Sequence, residues 1–215
     1  MTQQTLLSFF DENENTQELE IIKVFRNVRY NRIKIANSKK IIVTAKNNAA
    51  AERILKEKYE WIEKKIAQLQ DMEKRAGIPE GCCYLFGMEK SIEEVLTYLP
   101  FSREHLLCYA NECVSKMVDR VPSISIRRMR SRLGAYSIRK DQIKLSSYLF
   151  FLPKELIEYV IFHELTHRSI KNHGKDFWAK ISQQYSDWRE KEKELDLWWM
   201  RVKLMLEKYP QLKKA

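Results

Sequence analysis

The chain has 215 residues, and 44% of them are apolar, which is enough for a sizeable core in one domain or in a domain with a small appendage. No stretch reaches the roughly 18 apolar residues that span a membrane, and the N-terminus lacks the features of a secretory signal. The net charge is +10 although the first twenty residues contain acids and no Lys or Arg. Such a basic body suits a polyanion or an acidic surface, but Lys-rich solvated helices produce the same count.

The cysteines and the N-terminal start together indicate a reducing, cytoplasmic location. Four cysteines are present, and none has the CxxC spacing of a zinc-thiolate site; they are Cys82, Cys83, Cys108 and Cys113. We therefore expect ordinary free thiols at all four positions.

The first 80 residues are predicted to form a tail followed by a small mixed unit. Residues 1–19 are interpreted as a flexible acidic tail, because polar and charged residues dominate their second half. β-rich runs at 21–35 and 41–44 predict a hairpin or small meander. Apolar residues at helical spacing then predict one helix from Ala49 to about Arg75, so that residues 20–80 form an N-terminal hairpin plus helix.

Residues 81–215 are predicted to be a second region, of helices and strands around one histidine-bearing helix. The predicted strands lie at 84–87, 123–127 and 142–145, and the predicted helices at 102–118, from Pro153 through the histidines, 175–185 and 190–209. Pro153 suits the first turn of a helix, where its missing N–H costs nothing. The expected fold class is α+β.

The apolar helix after Pro153 carries the pattern H-E-x-x-H, with His163, Glu164 and His167. Residues four apart on a helix share a face, with Cβ atoms roughly 5–6 Å apart, so both histidines can aim a nitrogen at one metal ion. Glu164 lies one residue round from His163, where a carboxylate can take a proton from metal-bound water. The pattern predicts a zinc site, with other divalent metals also allowed, and Glu164 as the general base.

A catalytic zinc ion usually has three protein ligands, and His173 is the predicted third. The helix must end between His167 and His173, and Asn172 and Gly174 are residues that tolerate such an exit. The H-E-x-x-H-x5-H spacing equals that of the metzincins, but Ile170 stands where metzincins have Gly, so membership of that group does not follow. The fourth histidine, His105, is expected to be structural or solvent-facing.

These motifs resemble the YgjP-like metallopeptidase family, a zincin-like group related to the SprT-like proteases. The resemblance extends over about residues 20–190, and its specific segments are Ser131-Arg132-Leu133-Gly134, Ile143-Lys144-Leu145, Pro153, the run from Tyr159 to His167, and the run from Asn172 to Trp178. It implies a zincin-like catalytic region, a zinc-dependent peptidase activity and a peptide or protein substrate. The chain departs from the family pattern at Leu133, Ala135, Tyr136 and Ser146, which puts the substrate-facing strand in doubt but leaves the metal ligands and the base in place.

A run of arginines precedes the metal helix, and its members Arg128, Arg130 and Arg132 are predicted to contact substrate. They could bind an acidic substrate such as a DNA backbone or nucleotide phosphates. The alternative is a solvated basic strand edge. This run supports a second hypothesis, a metal-dependent nucleotide phosphohydrolase.

The N-terminus contains a second motif, in which Gln3, Leu6, Phe9 and Phe10 fit the pattern Q-x-x-h-x-x-a-a. It resembles the peptide by which DNA-replication and repair proteins dock on sliding clamps. A one-turn helix would present Leu6, Phe9 and Phe10 together to an apolar pocket. The alternative is that this segment folds back onto the core of the protein itself. By analogy, docking would suggest action on DNA-associated proteins, and a third hypothesis is a non-enzymatic clamp- or DNA-binding module with a structural metal.

Overall fold

The computed structural model describes the backbone of residues 2–9 and 17–214, with side chains from Leu19 to Lys214. The chain divides into two compact units, one ending at Arg75 and the other beginning at Ala76. Both contain helices and strands, which confirms the predicted α+β class. In the part of the chain that the structure describes, no helix has both the length and the apolar character needed to cross a bilayer.

The first unit is a four-stranded sheet covered by two helices. Its strands are β1 (Thr2–Phe9), β2 (Gln17–Phe25), β3 (Arg32–Asn37) and β4 (Lys40–Ala45), in the order β1-β2-β4-β3. β3 and β4 form the predicted antiparallel hairpin, whereas β2 ends at Phe25 and pairs with β4 in parallel. Alternate residues of β4, namely Ile41, Val43 and Ala45, are buried, as a sheet with one covered face requires.

Two helices stand where one was predicted: α1 (Asn48–Glu57) and α2 (Tyr59–Arg75). The break falls at Lys58, whose φ of −109° and ψ of 14° leave the helical range. α1 contacts β4 and α2 contacts β3, burying Ala51 and Ile62. The bend lets each helix press its own apolar face onto the sheet, which tertiary packing favours over one straight helix.

At the N-terminus, the backbone of Thr2–Phe9 forms β1, antiparallel to β2. The ladder with β2 supplies hydrogen bonds that a short isolated helix would lack. Phe10 and the centre of the predicted acidic tail, residues 10–16, lie outside the described residues, as do the side chains of Gln3, Leu6 and Phe9. Clamp docking stays a prediction.

The second unit is built from a hairpin, a three-stranded sheet and five helices longer than one turn. Its strands are β5 (Cys82–Leu85), β6 (Met88–Ser91), β7 (Ser123–Arg127), β8 (Gly134–Ser137) and β9 (Gln142–Ser146). Its helices are α3 (Ile92–Tyr98), α4 (Ser102–Met117), α5 (Lys154–Thr166), α6 (Lys175–Gln184) and α7 (Trp188–Lys208). The four cysteines are free thiols, as expected.

α5 is the central helix of this unit, and most of its residues are buried. Pro153 is the N-cap residue, one position before the first turn in which it was predicted. α5 contacts α4, α6 and α7 and also the sheet strands β8 and β9. It is therefore covered on several sides, which explains why its sequence is apolar around most of its circumference.

The three-stranded sheet has the order β7-β9-β8, with β7 parallel and β8 antiparallel to β9. β8 was not predicted from the sequence, since four residues with mixed polarity and a glycine give no clear alternation. Its pairing partner is β9, so β8 lies at an edge of this sheet. That edge runs beside α5 and forms one wall of the site described next.

Candidate metal centre

The three predicted ligand histidines lie together at the C-terminal end of α5. Each offers a ring nitrogen, and these nitrogens are all within 4.8 Å of one another. His163 Nε2 and His173 Nε2 are 2.9 Å apart. His163 lies in α5 and His167 caps its C-terminal end in helical conformation, so their i,i+4 spacing places them on one face. His173 comes from the loop that follows.

The loop returns over the helix end because α5 stops at its last histidine. His167 has φ −66° and ψ −12°, and the Ile170 N–H donates to Thr166 O at 3.0 Å, which closes a final turn. Gly174 then precedes α6, so His173 stands between two helix ends. The predicted helix exit thus lies where the third histidine requires it.

The donor set fits a divalent ion of the zinc class. Tetrahedral Zn–N bonds of about 2.0–2.1 Å would place two nitrogens roughly 3.3 Å apart. One pair of these nitrogens is 2.9 Å apart and all three lie within 4.8 Å of one another, so small shifts would suffice. Burial and the two neighbouring histidines lower the pKa of His163 to about 4, and burial also lowers the pKa of His173. Neutral imidazoles are the form that binds metal.

One buried ring supports all three histidines. Phe177 of α6 is fully buried, and its centroid lies 4.9 Å from that of His163, 4.8 Å from His167 and 4.5 Å from His173. An apolar ring at this position restricts the rotamers of its neighbours, since close-packed interiors leave few alternatives. Phe177 belonged to the matched family pattern, but its central position could not be read from the sequence.

Glu164 points from α5 toward β8 and is 7% exposed. Burial raises the pKa of its carboxyl to about 7, while the Arg132 guanidinium and a backbone hydrogen bond from Tyr136 act in the opposite direction. The fit against β8 is close, because Gly134 is the residue that faces the carboxylate. The predicted base is therefore buried beside the ligands and oriented by a backbone donor.

The cleft around these groups combines apolar walls with two cationic side chains. Its apolar lining comes from β8 and its flanks and from α5 and α7, and includes Leu133, Ile138, Val160, Leu195 and Trp199. Arg132 and Lys171 also line it. Of the other two predicted arginines, Arg128 donates to the Lys213 carbonyl at 3.1 Å, and neither it nor Arg130 is among the residues lining the described cleft.

Three of the departures from the family pattern, Leu133, Ala135 and Tyr136, line this cleft, and the fourth, Ser146, ends β9. The Tyr136 backbone retains a contact with Glu164, while its hydroxyl donates to Asp141, which also accepts from Arg168 Nη2 at 2.7 Å. Ser146 is buried, and its Oγ donates to Met129 O at 3.0 Å. The Tyr136 and Ser146 side chains thus have hydrogen-bond partners of their own.

Sequence reasoning did not single out Glu192 of α7, which also lines the cleft. Its Oε1 accepts a hydrogen bond from the Tyr159 hydroxyl at 2.6 Å. Burial raises the pKa of the Glu192 carboxyl. This residue lies in the alternating acidic and basic run REKEKELD, where nothing in the local pattern distinguishes it from its solvated neighbours.

Comparison with known proteins identifies the family of the chain. The model of the YgjP-like metallopeptidase domain matches residues 89–197. A curated relative, an uncharacterized protein of Methanocaldococcus jannaschii, is 29% identical over 76 residues, covering 34% of this chain and 69% of that protein. The matched family segment includes the three histidines, Glu164 and Glu192.

Two solved structures are also similar to parts of the chain. The metallopeptidase zymogen of Methanocaldococcus jannaschii jannalysin is 27% identical, covers 42% of this chain and 92% of its own, and has a TM-score of 0.36. The metallopeptidase zymogen of Pyrococcus abyssi abylysin is 23% identical. The match covers 48% of this chain and 92% of that chain, with a TM-score of 0.33.

Proposed function

Since the chain belongs to the YgjP-like metallopeptidase family, we propose that it is a zinc-dependent peptidase whose ion is held by His163, His167 and His173. The observation that carries the proposal is the convergence of three imidazole nitrogens within 4.8 Å beside a buried carboxylate. A bound zinc ion supplies Lewis acidity, which lowers the pKa of a coordinated water to about 7 and polarises a scissile carbonyl.

Glu164 is the proposed general base. Its carboxylate accepts a proton from the attacking water and later passes that proton to the leaving amine of the cleaved peptide bond. The Tyr136 N–H orients this carboxylate, and β8 and α5 exclude bulk water from one side of it. A carboxylate buried in this way retains its proton long enough to deliver it to the product.

The edge of β8 is the proposed docking line for an extended peptide. The Tyr136 N–H donates to Glu164, and β8 lies at an edge of its sheet and lines the cleft. An extended substrate can add to such an edge through main-chain hydrogen bonds, while alternate side chains enter the cleft. This arrangement suits a polypeptide better than a small phosphate ester.

The arginine distribution also favours a peptide over a nucleotide. The phosphohydrolase hypothesis needs several guanidinium groups around the transferred phosphate. Arg132 lines the cleft, but Arg128 is engaged with the Lys213 carbonyl, and Arg130 is not a lining residue of the described cleft. A single arginine at the metal centre supports recognition of an acidic peptide side chain.

The proposal is tested by metal analysis combined with a peptidase assay on unstructured protein substrates. Glu164→Gln should lose about 10²–10⁴-fold in turnover, the usual contribution of general acid–base catalysis, and should retain one equivalent of zinc. Glu155→Gln, an exposed residue at the start of the same helix, is the matched control and should retain both. Absence of bound metal in the wild type would contradict the metal centre, and retained turnover in Glu164→Gln would remove Glu164 as the base.

We also propose that the N-terminal peptide docks on a sliding clamp and brings the peptidase to DNA-associated proteins. The support is the sequence pattern from Gln3 to Phe10 alone. A pull-down with immobilised clamp should recover the wild type and not the Phe9→Ala/Phe10→Ala variant. Equal recovery of the two proteins would contradict docking and leave the peptidase proposal unaffected.

A further inference from the structure

In His163 and His167, the Nδ1 atom faces away from the proposed metal site. The two Nδ1 atoms have different neighbours. His167 Nδ1 lies 2.9 Å from the Ile170 carbonyl oxygen. A carbonyl only accepts, so Nδ1 carries the proton and Nε2 presents its lone pair. For His167, the chain's own turn thus selects the metal-binding tautomer.

His163 has no such carbonyl among the described hydrogen bonds, and a carboxylate lies there instead. Its Nε2 is the atom 2.9 Å from His173 Nε2, so Nδ1 faces the opposite way. Glu192 Oε1 lies 3.9 Å from this Nδ1. A movement of about 1 Å would bring the pair to hydrogen-bond distance.

Glu192 is itself held in place by a buried hydroxyl. Tyr159 is fully buried and donates to Glu192 Oε1 at 2.6 Å. Tyr159 stands four residues before His163, so the two side chains share one face of α5, with ring centroids 6.4 Å apart. The tyrosine therefore fixes the carboxylate of α7 beside the histidine of α5.

We propose that Glu192, held by Tyr159, is the positioning carboxylate for His163. It accepts the Nδ1–H and so fixes the tautomer and the ring plane in which Nε2 binds the metal. Metal-binding histidines usually donate their second N–H to a carboxylate or carbonyl, and loss of that partner typically costs 10–100-fold in metal affinity. The inference rests on the proposed metal centre, because it assigns a role within that site.

The first test makes two measurements on one set of variants. Chelator competition gives the zinc affinity, and thermal unfolding gives the stability of the metal-free protein. Glu192→Ala should weaken zinc binding about 10–100-fold, and Glu192→Gln should weaken it less, since its amide oxygen still accepts. Tyr159→Phe should fall between the wild type and Glu192→Ala. The matched control is Glu194→Gln, an exposed acid on the same helix, which should leave affinity unchanged.

A purely structural role for Glu192 gives a different result. If Glu192 serves only as the partner of the buried Tyr159 hydroxyl, Glu192→Ala lowers the melting temperature of the metal-free protein while zinc affinity stays within twofold of wild type. That outcome would overturn the proposal.

The second test needs no metal and so separates this inference from the proposed function. Nitrogen-15 NMR of the metal-free protein reports which nitrogen of His163 carries the proton. We expect the Nδ1–H tautomer in the wild type and in Glu194→Gln, and a shift toward Nε2–H in Glu192→Ala. An unchanged tautomer in Glu192→Ala would refute the role of Glu192 even if the wild type binds zinc. If Glu192→Ala shows the shift but the wild type binds no zinc, only the peptidase proposal is refuted.

Discussion

Gly134 and Glu164 share a space that has no room for a side chain between them. A Cβ built on Gly134 would lie 2.5 Å from Glu164 Oε1 and 2.6 Å from its Cγ, closer than real Cβ contacts come. The glycine is thus required by the close approach of β8 to the proposed base. Gly134 belongs to the Ser131–Gly134 segment that matches the family pattern, and it contacts the proposed base on α5.

Gly134→Ala is therefore expected to displace the Glu164 carboxylate from its position. Turnover of peptide substrate should fall by at least about tenfold, because a 1 Å misplacement of a catalytic group can cost as much as 100-fold. Zinc content should stay at one equivalent, since the three atoms nearest to the added methyl group all belong to Glu164. Gly174→Ala is the control, because its added methyl group enters open space; equal loss of turnover in both variants would contradict the steric explanation.

His173→Ala is expected to weaken zinc binding by more than the 10–100-fold typical of an outer-shell partner, because it removes a nitrogen that converges with the other two. Chelator competition measures this change. The matched substitution His105→Ala removes an exposed histidine of α4 and should leave zinc affinity unchanged. Full zinc affinity in His173→Ala would show that the third ligand lies elsewhere.

Phe177→Leu tests whether the ring that contacts all three histidines organises them. We expect a stability loss of about 1–2 kcal/mol, as for other buried hydrophobic exchanges, together with weaker zinc binding. Phe151→Leu makes the same exchange at a fully buried position for which no ring contact with the three histidines is described. It should show the stability loss alone, so equal zinc affinity in the two variants would argue against an organising role for Phe177.

Arg132 lines the cleft near Glu164 and is predicted to favour acidic side chains in the substrate. Arg132→Glu should lower kcat/KM for peptides with an acidic residue next to the scissile bond, relative to matched neutral peptides. Arg130→Glu makes the same charge change at an exposed position and should alter this ratio much less. Identical ratios in wild type and Arg132→Glu would exclude Arg132 from substrate selection.

Asp141 ties the end of α5 to the β8–β9 connection and should make stability depend on pH. The Tyr136 hydroxyl and the Arg168 and Arg120 guanidinium groups hold the pKa of its carboxyl below the usual 3.8. A carboxyl with a lowered pKa stabilises the fold above its unfolded value, and this contribution is lost as the pH falls through the folded value. The free energy of unfolding should therefore decrease below about pH 4.

Denaturant titrations of Asp141→Asn from pH 6 to pH 3 check that expectation. Asn tolerates the left-handed backbone at this position, where φ is 44°. The variant should start less stable at pH 6 and lose less stability than the wild type on acidification. Asp119→Asn, which changes an exposed acid, should show the wild-type dependence of unfolding free energy on pH. If Asp141→Asn also showed the wild-type dependence, the proposed role of the Asp141 interactions would be contradicted.

Local patterns predicted the elements whose residues repeat regularly. The alternation of Ser123–Arg127 and the apolar run after Pro153 correspond to β7 and α5. The regular apolar spacing from Ala49 to Arg75 did not reveal the break at Lys58, because both helices keep the same periodicity on either side of it. Short β8 was missed for the opposite reason, since four residues are too few to show a period.

The sequence by itself determined the helix-borne part of the site. The i,i+4 spacing of His163 and His167 is a local property of an α-helix, and Glu164 follows from the same geometry. Only the tertiary structure decided which groups face that helix: Gly134 and Tyr136 from β8, Phe177 from α6 and Glu192 from α7. These groups meet because the chain reverses direction several times around α5, and no pattern within a short window of sequence encodes where those reversals bring two distant side chains together.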